Sequence, residues 1–118
     1  MVDHTLTTAL NYAATLAELK RFEEAKKLLR KSIPVVRRVL GESHDLTLRM
    51  RWGYAIALYS DADATLDDLS EAVTTLEDGE RIVRRVFGGA HPEVSNMEAS
   101  LREARAALRA RETPSGDA

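Results

Sequence analysis

Residues 35–44 read VVRRVLGESH, and residues 82–91 read IVRRVFGGAH, with six of the ten positions identical at a separation of 47. Self-similarity at a long fixed period constrains a chain more than any single motif. Each copy is one supersecondary unit that cannot bury its apolar face alone, so neighbouring copies must stack.

Helical periodicity fills the space between the copies. From Thr5 onward, apolar and small residues recur at Leu6, Ala9, Leu10, Ala13, Leu16 and Ala17, the spacing of one helix face. A polar break at Lys20-Arg21 precedes a second helix, and Gly41 stands where a helix end favours a left-handed residue. Arg37 and Arg38 lie at the end of that helix where the dipole favours cations. The cycle then restarts: HDLTLRMRWGYAIAL (44–58) parallels DHTLTTALNYAATL (3–16), with Thr47-Leu48 placed 42 residues after Thr5-Leu6. Gly88 ends the next long helix, and HPEVSNMEASLREARAALRARE opens a last one with Pro92 in its first turn.

The unit is a helix–turn–helix of about 42 residues, stretched to 47 in its second copy by the segment SDADATLDD. There Thr65 and Asp68 have capping-box spacing. Five helices are expected over residues 4–20, 22–40, 45–61, 66–87 and 92–111. They form a domain over 1–111, with repeats at 4–41 and 44–88, a terminal capping helix at 92–111 and a disordered tail at 112–118. Pro34 and Gly79 interrupt the two long outer helices and are expected to curve them.

The residues His44-Asp45-Leu46-Thr47-Leu48, NYAATL at 11–16, RFEEAKKLL at 21–29, VVRRVLG at 35–41 and His91-Pro92 together resemble a tetratricopeptide repeat, specifically the long variety found in kinesin light chains. The resemblance spans nearly the whole chain. It implies an all-α fold, a right-handed α-solenoid of about two and a half repeats. Ala13, Ala25, Ala55 and Ala72 match the small positions where paired helices approach most closely. Tyr12, Leu16, Phe22 and Leu29 supply bulk around the first contact, and Tyr54, Leu58, Leu69 and Leu76 around the second.

Composition narrows the chemistry. There is no cysteine, so disulfides, thiolate metal sites and cysteine nucleophiles are excluded. The net charge of −2 argues against nucleic acid as a partner, although the charge is uneven: +4 over residues 1–40, −8 over 41–80 and +2 thereafter. No segment approaches a membrane span, and the N-terminus lacks the apolar core of a secretory signal. An intracellular, cytoplasmic protein is the expectation.

Candidate catalytic and metal patterns fail in detail. His44 and His91 open successive repeats, too far apart to share a metal, and His4 has no second ligand at helical spacing. Residues 61–72 imitate a calcium loop, but Leu66 stands where glycine is needed and Ala72 where a bidentate glutamate is needed. No phosphate-binding glycine loop or nucleophile elbow is present. No enzyme activity, cofactor or metal is expected.

Surface remains. In repeats of the resembled kind, the first helix of each pair lines the concave face, and an asparagine near its middle clamps an extended peptide. Asn11 matches that position, whereas the second copy has Gly53 and the third Ser100. Arg49, Trp52, Ile56 and Tyr59 form one stripe on the second copy's first helix. Trp52 is the only tryptophan, and tryptophan, tyrosine and arginine dominate binding hot spots. Trp52 fits packing between neighbouring helices, and it also fits partner contact. Arg102 occupies the position of Ala13 and Ala55, so the last helix is expected to close the array.

The expected function is therefore a non-catalytic protein-interaction module or adaptor, holding a peptide or helix of another protein with Asn11, Arg49, Trp52, Ile56 and Tyr59. The alternative is a structural or self-associating subunit. Its contact, including a homo-oligomer, would run through the N-terminal hairpin, whose edge Leu6, Ala9, Leu10 and Tyr12 open without a cap.

Overall fold

The computed structural model describes residues 2–112, with side chains described from Thr5 onward. Five helices run in sequence: α1 (Val2–Glu18), α2 (Phe22–Leu40), α3 (Asp45–Ser60), α4 (Leu66–Phe87) and α5 (Pro92–Glu112). No strand occurs among the described residues. Each helix packs on the next, while α1 also touches α3 and α3 touches α5. This is a helical repeat array, elongated to 54 × 32 × 20 Å. Glu112 closes α5; the rest of the expected tail, and the side chain of His4, lie outside the described residues.

The helix boundaries follow from local chemistry. Asp68 and Thr65 exchange side-chain and backbone hydrogen bonds at 3.1 Å to start α4, the reciprocal capping box. His44 Nδ1 accepts from the Leu46 N–H at 3.0 Å and His91 Nδ1 from the Glu93 N–H at 3.1 Å, so both histidines cap helices. Gly41 and Gly88 end α2 and α4 at φ of 95° and 89°, and their N–H groups donate to Arg37 and Arg84 carbonyls. With ψ of 166° and 157°, both occupy a region open essentially to glycine alone rather than the left-handed helical region expected.

The end of α1 falls two residues short of expectation. α1 ends at Glu18 because Lys20 turns into the left-handed region at φ 61°. The Lys20 N–H donates to Ala17 O and the Arg21 N–H to Leu16 O, the double closure of a Schellman turn. No glycine announces it. Packing of the α1–α2 hairpin imposes the conformation on a lysine.

The small positions behave as the repeat pattern implies: Ala13, Ala25, Ala55 and Ala72 are all buried. So are Leu16, Leu29, Tyr54, Leu58, Leu69 and Leu76, with Phe22 half-buried. Tyr12 is the exception. It is 57% exposed and adds no bulk to the first contact. α2 passes through Pro34 unbroken, with the ring on its exposed side. Gly79 is buried, and a Cβ there would lie 3.1 Å from Met97 Cε. Its role is to let α5 approach α4.

The longer turn between α3 and α4 has a structural use. Lys26 of α2 is 1% exposed, and its Nζ lies 2.7 Å from Glu23, 3.7 Å from Asp61 and 3.9 Å from Asp68. A buried ammonium needs nearby counter-charge, and the inserted segment brings two carboxylates to it. Arg111 of α5 donates to the Ala64 and Ala62 carbonyls of the same turn.

Candidate functional site

α1, α3 and α5, the first helices of successive units, stand side by side and carry the residues singled out from sequence. The structure divides these residues into two groups. Trp52 and Tyr59 point from α3 to α5: Trp52 Nε1 donates to Ser100 Oγ at 2.9 Å, and the Tyr59 hydroxyl donates to Glu103 at 2.8 Å. Both are half-buried and pack on the core. Burial pushes the Tyr59 phenol up to about 12, with the Glu103 carboxylate acting in the same direction. Ser100, which matches the peptide-clamping position of the third unit, is thereby engaged within the fold.

Ile56 points the other way, toward α1. With Leu10, Ala13, Ala14, Ala17, Leu29 and Gly53 it lines an apolar cleft of about 190 Å³, which Glu18 borders at one end. Gly53 makes the cleft possible. A Cβ there would sit 3.8 Å from Leu10 Cδ1 and 3.9 Å from Leu29 Cδ1, so the missing side chain leaves the floor open. Sequence reasoning took Gly53 only as a lost asparagine, placed Ala17 on the apolar face of the first helix without a site role, and missed Ala14. The available signal was a row of small residues on α1 facing a glycine in the next unit.

Asn11 and Arg49 are exposed and stand apart from these contacts. The Asn11 carbonyl accepts from Thr15 Oγ1 at 3.1 Å, and Arg49 lies 3.8 Å from Asp45 across one helical turn. The face thus offers an apolar cleft between α1 and α3, exposed amide and guanidinium groups, and an aromatic pair already bonded to α5.

On the opposite side, polar contacts join the layers. Arg30 Nε donates to the Tyr54 hydroxyl at 2.9 Å, and that hydroxyl donates to Glu71 at 2.7 Å. One tyrosine therefore ties α2, α3 and α4. Burial and the Glu71 bond both raise its phenol pKa. Thr47, fully buried, donates to the Gly41 carbonyl at 2.7 Å and fixes the turn between units. Among the described residues no three histidine, aspartate or glutamate side chains converge to hold a metal ion. No described helix is long and apolar enough to cross a membrane.

The model of the tetratricopeptide repeat matches residues 4–64, just over half of the chain. No curated protein and no solved structure matches it. The matched span runs from α1 to the turn after α3, and so contains both walls of the apolar cleft. Repeats of this kind generally mediate contacts between proteins and are typically non-catalytic. The helix pairs, their small close-contact positions and the matched model agree: this chain belongs to the tetratricopeptide repeat family.

Proposed function

We propose that this chain is a non-catalytic adaptor module that seats a peptide or helix of another protein against the α1–α3–α5 face. The observation that carries the reading is the apolar cleft floored by Gly53 and walled by Leu10, Ala14, Ala17 and Ile56. A cleft of this size takes one aliphatic or aromatic anchor. Asn11 and Arg49, exposed on neighbouring helices, are available to backbone and acidic groups of the same segment. Trp52 and Tyr59 contribute their exposed edges and hold α5 in place. With a single anchor pocket, a lone peptide binds in the micromolar range, about −8 kcal/mol.

The kinesin-light-chain-like subtype, supported by the HDLTL and VVRRVLG segments, and an intracellular, cytoplasmic location belong to the same reading. The test is selection from a displayed-peptide library, followed by calorimetry on the selected peptides. Ala14→Arg, which places a charge across the cleft from an exposed helix position, abolishes binding, and Asn11→Ala weakens it about tenfold. Peptides that bind the Ala14→Arg variant as tightly as the parent would refute the proposal.

A further inference from the structure

A second surface lies on the side of the first hairpin turned away from α3. Tyr12 of α1 and Leu19, the residue just past its end, are 57% and 61% exposed. Across from them, α2 presents Glu24, Leu28, Lys31 and Val35 at heptad-like spacing. Between the two helices Tyr12, Leu16, Glu24, Lys27, Leu28 and Lys31 line a cleft of about 240 Å³. The groove reading makes no use of this face.

We propose that it is occupied by the same face of a second copy of this chain, in a two-fold dimer with the two α2 helices antiparallel. Charge order selects this occupant. Centring the two-fold axis on Leu28 sets Leu28 against Leu28. It also brings Glu24 of one copy beside Lys31 of the other, twice by symmetry. Tyr12 of each copy then covers the apolar strip of the other.

Head-to-tail stacking is disfavoured by the same charges. The outer side of α5, which would have to seat on this face, carries exposed Arg102 and Arg109. These would meet Lys27 and Lys31. The closed two-fold pairing keeps Lys27 and Lys31 away from those arginines, leaves one like-charge contact where the two copies of Lys27 flank the axis, and does not propagate into a fibre.

Two helices of 17 and 19 residues at 1.5 Å per residue, lying about 9 Å apart, offer roughly 500 Å² per copy. Burying roughly 1,000 Å² in total falls at the weak end of specific interfaces, so the dimer dissociates in the micromolar range.

Sedimentation velocity over about 1 to 500 µM tests the proposal. The parent chain moves from its monomer mass of 13.1 kDa toward twice that value. Glu24→Lys and Lys31→Glu, both exposed and far from the core, each weaken the dimer at least about tenfold. An equimolar mixture of the two variants restores it, because one copy then carries two lysines opposite the other's two glutamates. A chain that stays monomeric throughout overturns the proposal. So does a dimer indifferent to either reversal, variants that fail to recover on mixing, or a mass that keeps growing beyond two. Peptide binding in the Gly53 cleft is measured separately and is unaffected by either variant, so the two readings fail independently.

Discussion

The indole Nε1 of Trp52 donates to Ser100 Oγ at 2.9 Å across the α3–α5 contact. The two residues are 48 positions apart, and their bond ties the last helix to α3. Trp52→Phe keeps most of the packing but leaves the buried serine short of a partner, costing about 1 kcal/mol. Trp52→Ala also opens space between the clusters that Trp52 joins, at about 3 kcal/mol. Urea unfolding of the two variants should reproduce that order. Equal losses would show that the bond contributes nothing.

Lys26 is buried as a cation among Glu23, Asp61 and Asp68. All three carboxylates keep some contact with water, so none is stranded when the ammonium is removed. Lys26→Met therefore changes stability by no more than about 1 kcal/mol. Lys26→Ala leaves a void and costs about 2 kcal/mol or more. Thermal melts of both variants check the contrast, and a large loss in the methionine variant would show that the charge itself holds the α3–α4 turn.

Lys20 bears a left-handed φ of 61° without the freedom of glycine. Lys20→Gly relieves that conformation and stabilises the chain by about 1 kcal/mol. A lowered urea midpoint would show that the lysine side chain compensates for its backbone.

Two helical glycines differ in what surrounds them. A Cβ at Gly53 meets ordinary contacts at 3.8 and 3.9 Å, whereas one at Gly79 meets Met97 at 3.1 and 3.2 Å. Gly53→Ala gains about 0.5–1 kcal/mol from helix propensity. Gly79→Ala loses about 1 kcal/mol, because Met97 is itself fully buried and must shift. Opposite signs in chemical denaturation confirm the distinction.

The Tyr59 phenol titrates at about 12 in the fold and at about 10 in the unfolded chain. Its contribution is fully present below about pH 10 and is lost as pH rises toward 12, because the unfolded chain gives up its proton first. Tyr54, also raised, acts in the same direction. The melting temperature accordingly falls between about pH 10 and pH 12, and falls less steeply in Tyr59→Phe. Identical slopes would place Tyr59 in water.

The sequence by itself determined the helices, their order and most of their ends. Capping boxes, glycine stops and histidine caps are contacts among residues a few positions apart, and the 3.6-residue period marks which face of each helix must be buried. It could not say which neighbour stands on that face. Tyr12 and Tyr54 occupy matching positions in the two units, yet Tyr54 is enclosed by Arg30 and Glu71 from flanking helices, while Tyr12 has no described helix beyond it. The stripe of Arg49, Trp52, Ile56 and Tyr59 satisfies a groove and a packing seam equally well on one helix. Only the approach of α5 engaged Trp52 and Tyr59, and only the approach of α1 turned Ile56 and Gly53 into a cleft. Those choices rest on contacts between residues 17 to 48 positions apart, which local periodicity does not encode and stacking of the repeats alone decides.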